Sequence, residues 1–182
     1  MKKILFSEKH GMFQAVLNGD KTMTRRIKAS DKPRYNVGDV VYIAEPYDDG
    51  CMGSYIYKYG HKHEKELTEL YGWKNKLFMP EKAARFFIRI TEVRVECLQD
   101  ISYTDCLREG IEKLFLETPD IYCPNIKYCY YGSEYFNSAQ EAFADLINKI
   151  NGEYTWEMNP CVFVYEFELT KFKKSWERLA LK

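Results

Sequence analysis

Eight residues near the start of the chain, Gly19-Asp20-Lys21-Thr22-Met23-Thr24-Arg25-Arg26, combine side chains used in both acyl transfer and anion binding. A lysine that is partly desolvated beside other cations can lose its proton near neutral pH and act as a base. A nearby threonine hydroxyl is a nucleophile that such a base can activate. Paired arginine forks suit a phosphate or the edge of a nucleobase. The alternative is a solvated basic turn in which one arginine pairs with a core carboxylate.

The elements around this segment are predicted to present it just after a helix. Ser7 can cap that helix, and Gly19 is placed to end it in the left-handed conformation. Residues 21–34 are polar and basic and are predicted to form a turn region, followed by a strand at 40–44. The apolar residues of the helix share one face: Met12, Phe13, Val16 and Leu17.

The rest of the chain alternates between strands and short capped helices. A long strand is predicted from Arg85, and capping-box signatures at 102–105 and 138–141 each open a helix that a glycine ends. Alternating apolar residues predict a last strand at 161–169. Two aromatic-rich stretches, about 47–82 and 113–137, are interpreted as irregular insertions.

This pattern favours an α+β fold: a compact, mostly antiparallel β-barrel flanked by short helices. The chain of 182 residues fits one domain spanning 1–182. It contains no G-x-G-x-x-G motif and no regular βαβ rhythm, which argues against a dinucleotide-binding fold.

Composition narrows the classes of function. Lysine plus arginine and aspartate plus glutamate number 27 each, which argues against a broadly cationic nucleic-acid coat. No apolar run approaches the roughly 20 residues of a membrane span, and the amino terminus lacks the apolar core of a signal peptide. Six cysteines without a C-x-x-C pair favour free thiols in the cytoplasm. Neither a metal site nor a cofactor is predicted, since the histidine and cysteine spacings are irregular.

Four blocks of sequence resemble the ASCH family, whose fold is a PUA-like β-barrel. Gly19, Lys21 and Arg26 satisfy its G-x-K-x-x-x-x-R pattern, and residues 37–45 are similar to the strand that follows this pattern. Residues 85–110 look like the family's central segment. The carboxyl-terminal block, with Trp156, Asn159-Pro160 and the strand to Phe167, resembles the longer, phage-associated branch.

The resemblance implies a cleft that receives a nucleotide or RNA. A short member of the family is an amidohydrolase that removes the acetyl group of N4-acetylcytidine with a lysine, a threonine and a glutamate. The matching positions are Lys21, Thr24 and, at the end of the short helix after the central strand, Glu109. Thr24 would then attack the acyl carbon, Lys21 would accept its proton, and Glu109 would hold or polarise the lysine.

Four further residues are candidate ligand contacts. Arg25 and Arg26 would bind phosphate or a base edge. Glu45 is a candidate acceptor for a base edge, and Tyr47 a candidate stacking surface. For the last two, core packing or an ion pair with Arg26 is the alternative.

Three functions from different classes remain open at this stage. The chain is an amide hydrolase acting on an acylated cytidine or similar nucleoside, a non-catalytic RNA-binding module, or a prophage accessory domain that binds proteins. The first two imply a modified nucleoside or a short RNA as the partner. The sequence leaves protein partners and the oligomeric state undetermined.

Overall fold

The fold was analysed in a computed structural model that describes residues 1–50, 54–59, 72–116 and 125–170. Three α-helices lie in these ranges: α1 (Met12–Asn18), α2 (Tyr103–Arg108) and α3 (Ala139–Asn151). The strands there are β1 (Lys3–Leu5), β2 (Met23–Ile27), β3 (Val40–Ala44), β4 (Tyr47–Asp49), β5 (Tyr55–Tyr57), β6 (Phe87–Cys97), β7 (Glu112–Leu116), β8 (Asn125–Cys129) and β9 (Cys161–Thr170).

Five of the strands are hydrogen-bonded in the order β1-β3-β6-β9-β2. β1 pairs with β3 in parallel, whereas β3 with β6 and β2 with β9 are antiparallel. Two hairpins, β4-β5 and β7-β8, form separate two-stranded sheets. The prediction of an α+β fold with mostly antiparallel strands is confirmed. Across the ranges described, no closed barrel is found.

The described chain divides into two compact units. The first comprises Met1–Phe6, Val40–Arg89 and Thr170, and the second comprises Ser7–Asp39 and Ile90–Leu169. Lys21, Thr24, Arg25, Arg26 and Glu109 belong to the second unit, and Glu45 and Tyr47 belong to the first.

The core of the first unit uses residues from the stretch that was interpreted as an insertion. Tyr47, Met79 and Ala83 are buried together with Tyr42 of β3 and Phe87 of β6. The hydroxyl of Tyr42 donates to the Met79 carbonyl at 3.0 Å. This stretch escaped prediction as a core element because its strands are only three residues long and its remaining core contacts come from 3-10 turns.

In the second unit, the helix caps agree with the sequence prediction at three places and differ at one. The hydroxyls of Ser102 and Ser138 accept the backbone N–H of the residue three positions on, as in a capping box. Gly19 has a φ of +88° and ends α1 as predicted. The prediction for Ser7 was wrong, because α1 begins only at Met12, after a left-handed Gly11.

Two segments predicted as irregular are strands. Residues 23–27, placed in the basic turn, form β2, and every one of them pairs with β9. Residues 112–116 and 125–129 form the β7-β8 hairpin within the second predicted insertion. Both were missed because their polar and charged residues hide the period-two apolar pattern by which half-buried strands are recognised. None of the helices in the ranges described has the length and apolar character of a bilayer span.

Candidate active site

Strand β2 presents its residues alternately to two faces of the sheet. Arg25 lies opposite Val164 of β9, and Met23 lies opposite Glu166, so these side chains share one face. Thr24 lies opposite Tyr165 and shares the other face with Arg26. The basic segment is therefore divided by the strand geometry, with one arginine on each side of the sheet.

A buried ion pair joins Lys21 to Glu109. Lys21 Nζ donates to the backbone carbonyl of Glu109 at 2.7 Å and also to its carboxylate. Both side chains are 4% exposed. Glu109 is the cap residue at the carboxyl end of α2, and Gly110 follows it with a φ of +97°. The sequence prediction that brought these two positions together agrees with this geometry.

Two backbone hydrogen bonds hold Lys21 and Thr22 between α1 and the end of α2. The Lys21 N–H donates to the Ala15 carbonyl at 3.0 Å, and the Thr22 N–H donates to the Arg108 carbonyl at 2.9 Å. Gly110 also lies close to Lys21, since a Cβ added at Gly110 would be in ordinary van der Waals contact with the Cβ of Lys21, at 3.5 Å. The lysine is therefore fixed by main-chain contacts as well as by its charge.

Burial lowers the pKa of Lys21 below the ordinary value for lysine. Desolvation is the largest cause, and it outweighs the nearby Glu109, which raises the pKa by charge and by hydrogen bonding. Arg26 and Arg25 lower it further. A lowered pKa is the direction that favours proton acceptance by a lysine near neutral pH.

Arg25 is bound by three carboxylates. Its Nε donates to Glu96 at 2.8 Å, one terminal nitrogen donates to Asp105 at 2.9 Å, and the other donates to Glu109 at 3.1 Å. Its guanidinium also lies 5.9 Å from the ring centre of Phe143 in α3. The side chain is fully shielded from solvent. Its nitrogens thus hold Glu109 in place, whereas the sequence prediction assigned Arg25 to ligand binding.

The ion pairs continue outward through Arg94 and Arg108. Both contact Glu166, at 2.7 Å each, and Arg94 also contacts Asp105 at 3.1 Å. Arg94 also pairs with Glu92 at 3.2 Å. With Lys21, Arg25, Glu96 and Glu109 these residues form one charge cluster of four cations and five carboxylates. The outer members were not predicted from the sequence. For Arg94 and Glu166, the available signal was charged residues at alternate positions of two otherwise apolar strands.

Thr24 and Arg26 lie on the opposite face of β2. Thr24 is buried, and among the described residues no hydrogen bond joins its hydroxyl to Lys21 or Glu109. Burial lowers the pKa of the half-buried Arg26, while Tyr35 and Glu109 raise it. Arg26 also lowers the pKa of Lys21. The electrostatic influence of this arginine therefore reaches the lysine from the other face of the strand.

In the first unit, Glu45 and Tyr47 have partners of their own. The fully buried Glu45 carboxylate accepts two hydrogen bonds of 2.7 Å from Arg85. The Tyr47 hydroxyl donates to the Phe78 carbonyl at 3.3 Å, and its ring meets Tyr55 edge to face. These contacts pack both side chains into the first unit.

A surface depression of about 520 Å³ is lined partly by residues that adjoin Lys21 and Glu109 in the sequence. Its lining includes Asp20 and Gly110, the neighbours of Lys21 and Glu109 in the chain, and the start of β7. Ligand pockets for small molecules typically span about 300–1,000 Å³. The full lining is Asp20, Leu107, Gly110, Ile111, Glu112, Lys113 and Leu114.

In the portion of the chain that is described, no group of three or more histidine, cysteine, aspartate or glutamate side chains could hold a metal ion. Comparisons with protein-family models, with curated proteins and with solved structures found no match to this chain.

Proposed function

We propose that this protein is a hydrolase of the ASCH type, with a PUA-like barrel, that cleaves the amide of an N4-acylated cytidine or a similar nucleoside in the cytoplasm. The observation that carries the proposal is the buried pair of Lys21 and Glu109, in which burial lowers the pKa of the lysine. A buried, perturbed amine with a specific charged partner is a recognised mark of a functional site.

The proposed reaction requires a rearrangement on substrate binding that brings the Thr24 hydroxyl, on the opposite face of β2 from Arg25, within reach of Lys21. The hydroxyl then attacks the acyl carbon while its proton passes to the neutral amine of Lys21. The resulting ammonium returns that proton to the departing amine of cytidine as the carbon–nitrogen bond breaks. Water then hydrolyses the acyl-threonine and releases the carboxylic acid. Glu109 holds the lysine throughout and balances its charge when it is protonated. Such general acid–base assistance contributes about 10²–10⁴-fold to a rate.

The substrate is proposed to approach from the depression lined by Asp20, Gly110 and Glu112. Its volume is large enough for a nucleoside. Because Lys21 and Thr24 are buried, the reactive carbonyl would have to displace the contacts that close over them. Removal of water from these groups would also favour the neutral form of the lysine.

The test is release of cytidine from N4-acetylcytidine, followed by liquid chromatography and mass spectrometry. Replacing Thr24 by valine removes the nucleophile with little change in volume, and we expect turnover to fall by more than about 100-fold. Thr24→Val is preferred to a Lys21 variant, since removal of Lys21 would leave the buried Glu109 with Arg25 as its remaining cation.

Thr22→Val is the matched control, because Thr22 lies two residues away and its hydroxyl contacts Arg108 at 3.3 Å. We expect this variant to keep the wild-type rate. Equal rates for Thr24→Val and wild type would remove Thr24 from the mechanism. No cytidine from the wild-type protein, across a set of N4-acyl groups, would refute the hydrolase.

A second candidate is a non-catalytic module that binds short single-stranded RNA. This function is favoured by solvent-exposed aromatic side chains in the second unit. They are Phe115, Tyr131 and Tyr135, each at least 60% exposed. Stacking of a base on an aromatic ring is worth about 1–3 kcal/mol. A prophage accessory domain that binds proteins is the remaining alternative.

A further inference from the structure

The thiols of Cys97 and Cys161 lie at the adjoining ends of two neighbouring strands. β6 ends at Cys97 and β9 begins at Cys161, and the two strands are hydrogen-bonded neighbours. The Leu98 N–H donates to the Pro160 carbonyl at 3.0 Å, just beyond these ends. In antiparallel register, that bond places Cys97 directly opposite Cys161.

A contact between the opposite ends of the same strands gives the same antiparallel direction. The Thr170 hydroxyl donates to the Phe87 carbonyl at 3.3 Å, where β9 ends and β6 begins. The strands therefore run antiparallel, and one residue forward on β6 corresponds to one residue back on β9.

The two cysteines form a pair without backbone hydrogen bonds between them. The Cys161 carbonyl accepts from the Lys28 N–H at 2.9 Å, on the side of β2 and therefore away from β6. Opposed residues of this kind have Cα atoms about 4.5 Å apart, within the range of about 4.4–6.8 Å that a disulfide spans. Cys161 is exposed, Cys97 is half-buried, and both are free thiols.

We propose that Cys97 and Cys161 form a redox-modifiable dithiol, which small-molecule disulfides such as oxidised glutathione convert to an intramolecular disulfide. The exposed Cys161 thiolate first attacks the small disulfide, forms a mixed disulfide and releases one small thiol. The Cys97 thiolate then attacks the Cys161 sulfur and releases the second small thiol. The protein loses two protons and two electrons, and the small disulfide gains them as two thiols.

The order of attack follows from the surroundings of the two sulfurs. Cys161 is open to a solute, whereas partial burial and the nearby Asp100 raise the pKa of Cys97. Because a thiolate is the attacking species, the raised pKa of Cys97 slows the second step at neutral pH, and this step should accelerate as the pH rises.

Closure of this disulfide would tie together the two strands that supply part of the charge cluster. Glu96 precedes Cys97 on β6, and Glu166 lies further along β9. The link would also close a long loop of chain, which reduces the freedom of the unfolded state. Oxidised protein should therefore unfold at a higher urea concentration than reduced protein.

The experiment treats the full-length reduced protein with oxidised glutathione and follows intact mass and non-reduced peptide maps. To remove competing thiols, Cys51 and Cys123 are first replaced by serine. We expect a mass loss of two hydrogens, a peptide linking Cys97 to Cys161, and a higher urea midpoint. Dithiothreitol should restore the original mass.

Cys161→Ser in the same background should abolish the loss of two hydrogens, and the buried Cys129→Ser should leave it unchanged. A stable glutathione adduct at Cys161 without further closure would overturn the proposal. A linkage that joins any other pair of cysteines would overturn it as well.

Discussion

Burial and the ion pair with Glu109 have opposite effects on the pKa of Lys21. The carboxylate of Glu109 favours the ammonium form, but the lysine has almost no contact with water, and desolvation is the larger effect. The folded protein therefore binds this proton less tightly than the unfolded chain does. The ammonium form costs stability below the folded pKa, and the cost is relieved as the pH rises from there towards the ordinary lysine value.

Glu166 behaves in the opposite way and gives a prediction for acid stability. The hydrogen bond from Arg108 is the largest cause that lowers the pKa of Glu166; burial opposes it, and a hydrogen bond from Arg94 lowers the pKa further. Its contribution to stability is present above the ordinary glutamate pKa and is lost as the pH falls through the lower folded value. We predict that Glu166→Gln lowers the free energy of unfolding by about 2 kcal/mol at neutral pH.

Urea denaturation of wild type and variant at neutral pH and at about pH 3 checks this prediction, and the difference should shrink in acid. Glu153→Gln is the control, since Glu153 is exposed. The stability of this variant should match that of wild type at both pH values. A difference that stayed constant with pH would mean that the ion pairs of Glu166 do not couple to protonation.

Among the secondary-structure elements, α3 depends on its first cap. The Ser138 hydroxyl accepts from the Glu141 N–H at 3.1 Å, and the helix buries Phe143 against the face that carries Arg25. We predict that Ser138→Ala lowers the free energy of unfolding by about 1 kcal/mol. Ser138→Asp keeps an acceptor at this position and should retain most of the stability. Thermal and urea unfolding measure both variants, and equal losses in the two would contradict a capping role.

The elements that could be predicted from the sequence are those whose signals are local. A serine followed three residues later by an acid marks a helix start, and β3 is a continuous apolar run, so α2, α3 and β3 were placed correctly. β2 could not be predicted from the local sequence, because its polar residues are stabilised by carboxylates on other elements. For the same reason the pairing of Lys21 with Glu109 came from a family resemblance, and the role of Arg25 as the centre of the charge cluster did not emerge.

At the scale of the whole molecule, the charge balance limits how RNA can bind. With 27 cationic and 27 acidic residues, the chain has no surplus with which to displace many counterions. Four of its cations are moreover held in the charge cluster around Arg25. We predict that any binding to unmodified single-stranded RNA loses affinity only shallowly with salt, with a slope on the order of one or two phosphate contacts.

Fluorescence anisotropy with a short labelled RNA at several salt concentrations measures this slope. Phe115→Ala removes an exposed ring without a change in charge and should weaken binding while the slope stays the same. A steep slope would indicate that a cationic surface outside the charge cluster carries the interaction.

The pairing of β2 with β9 has a consequence for synthesis on the ribosome. Arg25 lies opposite Val164, so the strand that bears Thr24 acquires its sheet neighbour only after about 140 further residues have been translated. Until then, a nascent chain would expose an unpaired β-strand edge next to its basic residues. Premature termination before residue 161 would consequently yield a polypeptide without this part of the site, and such fragments would be candidates for aggregation or for degradation by cellular proteases.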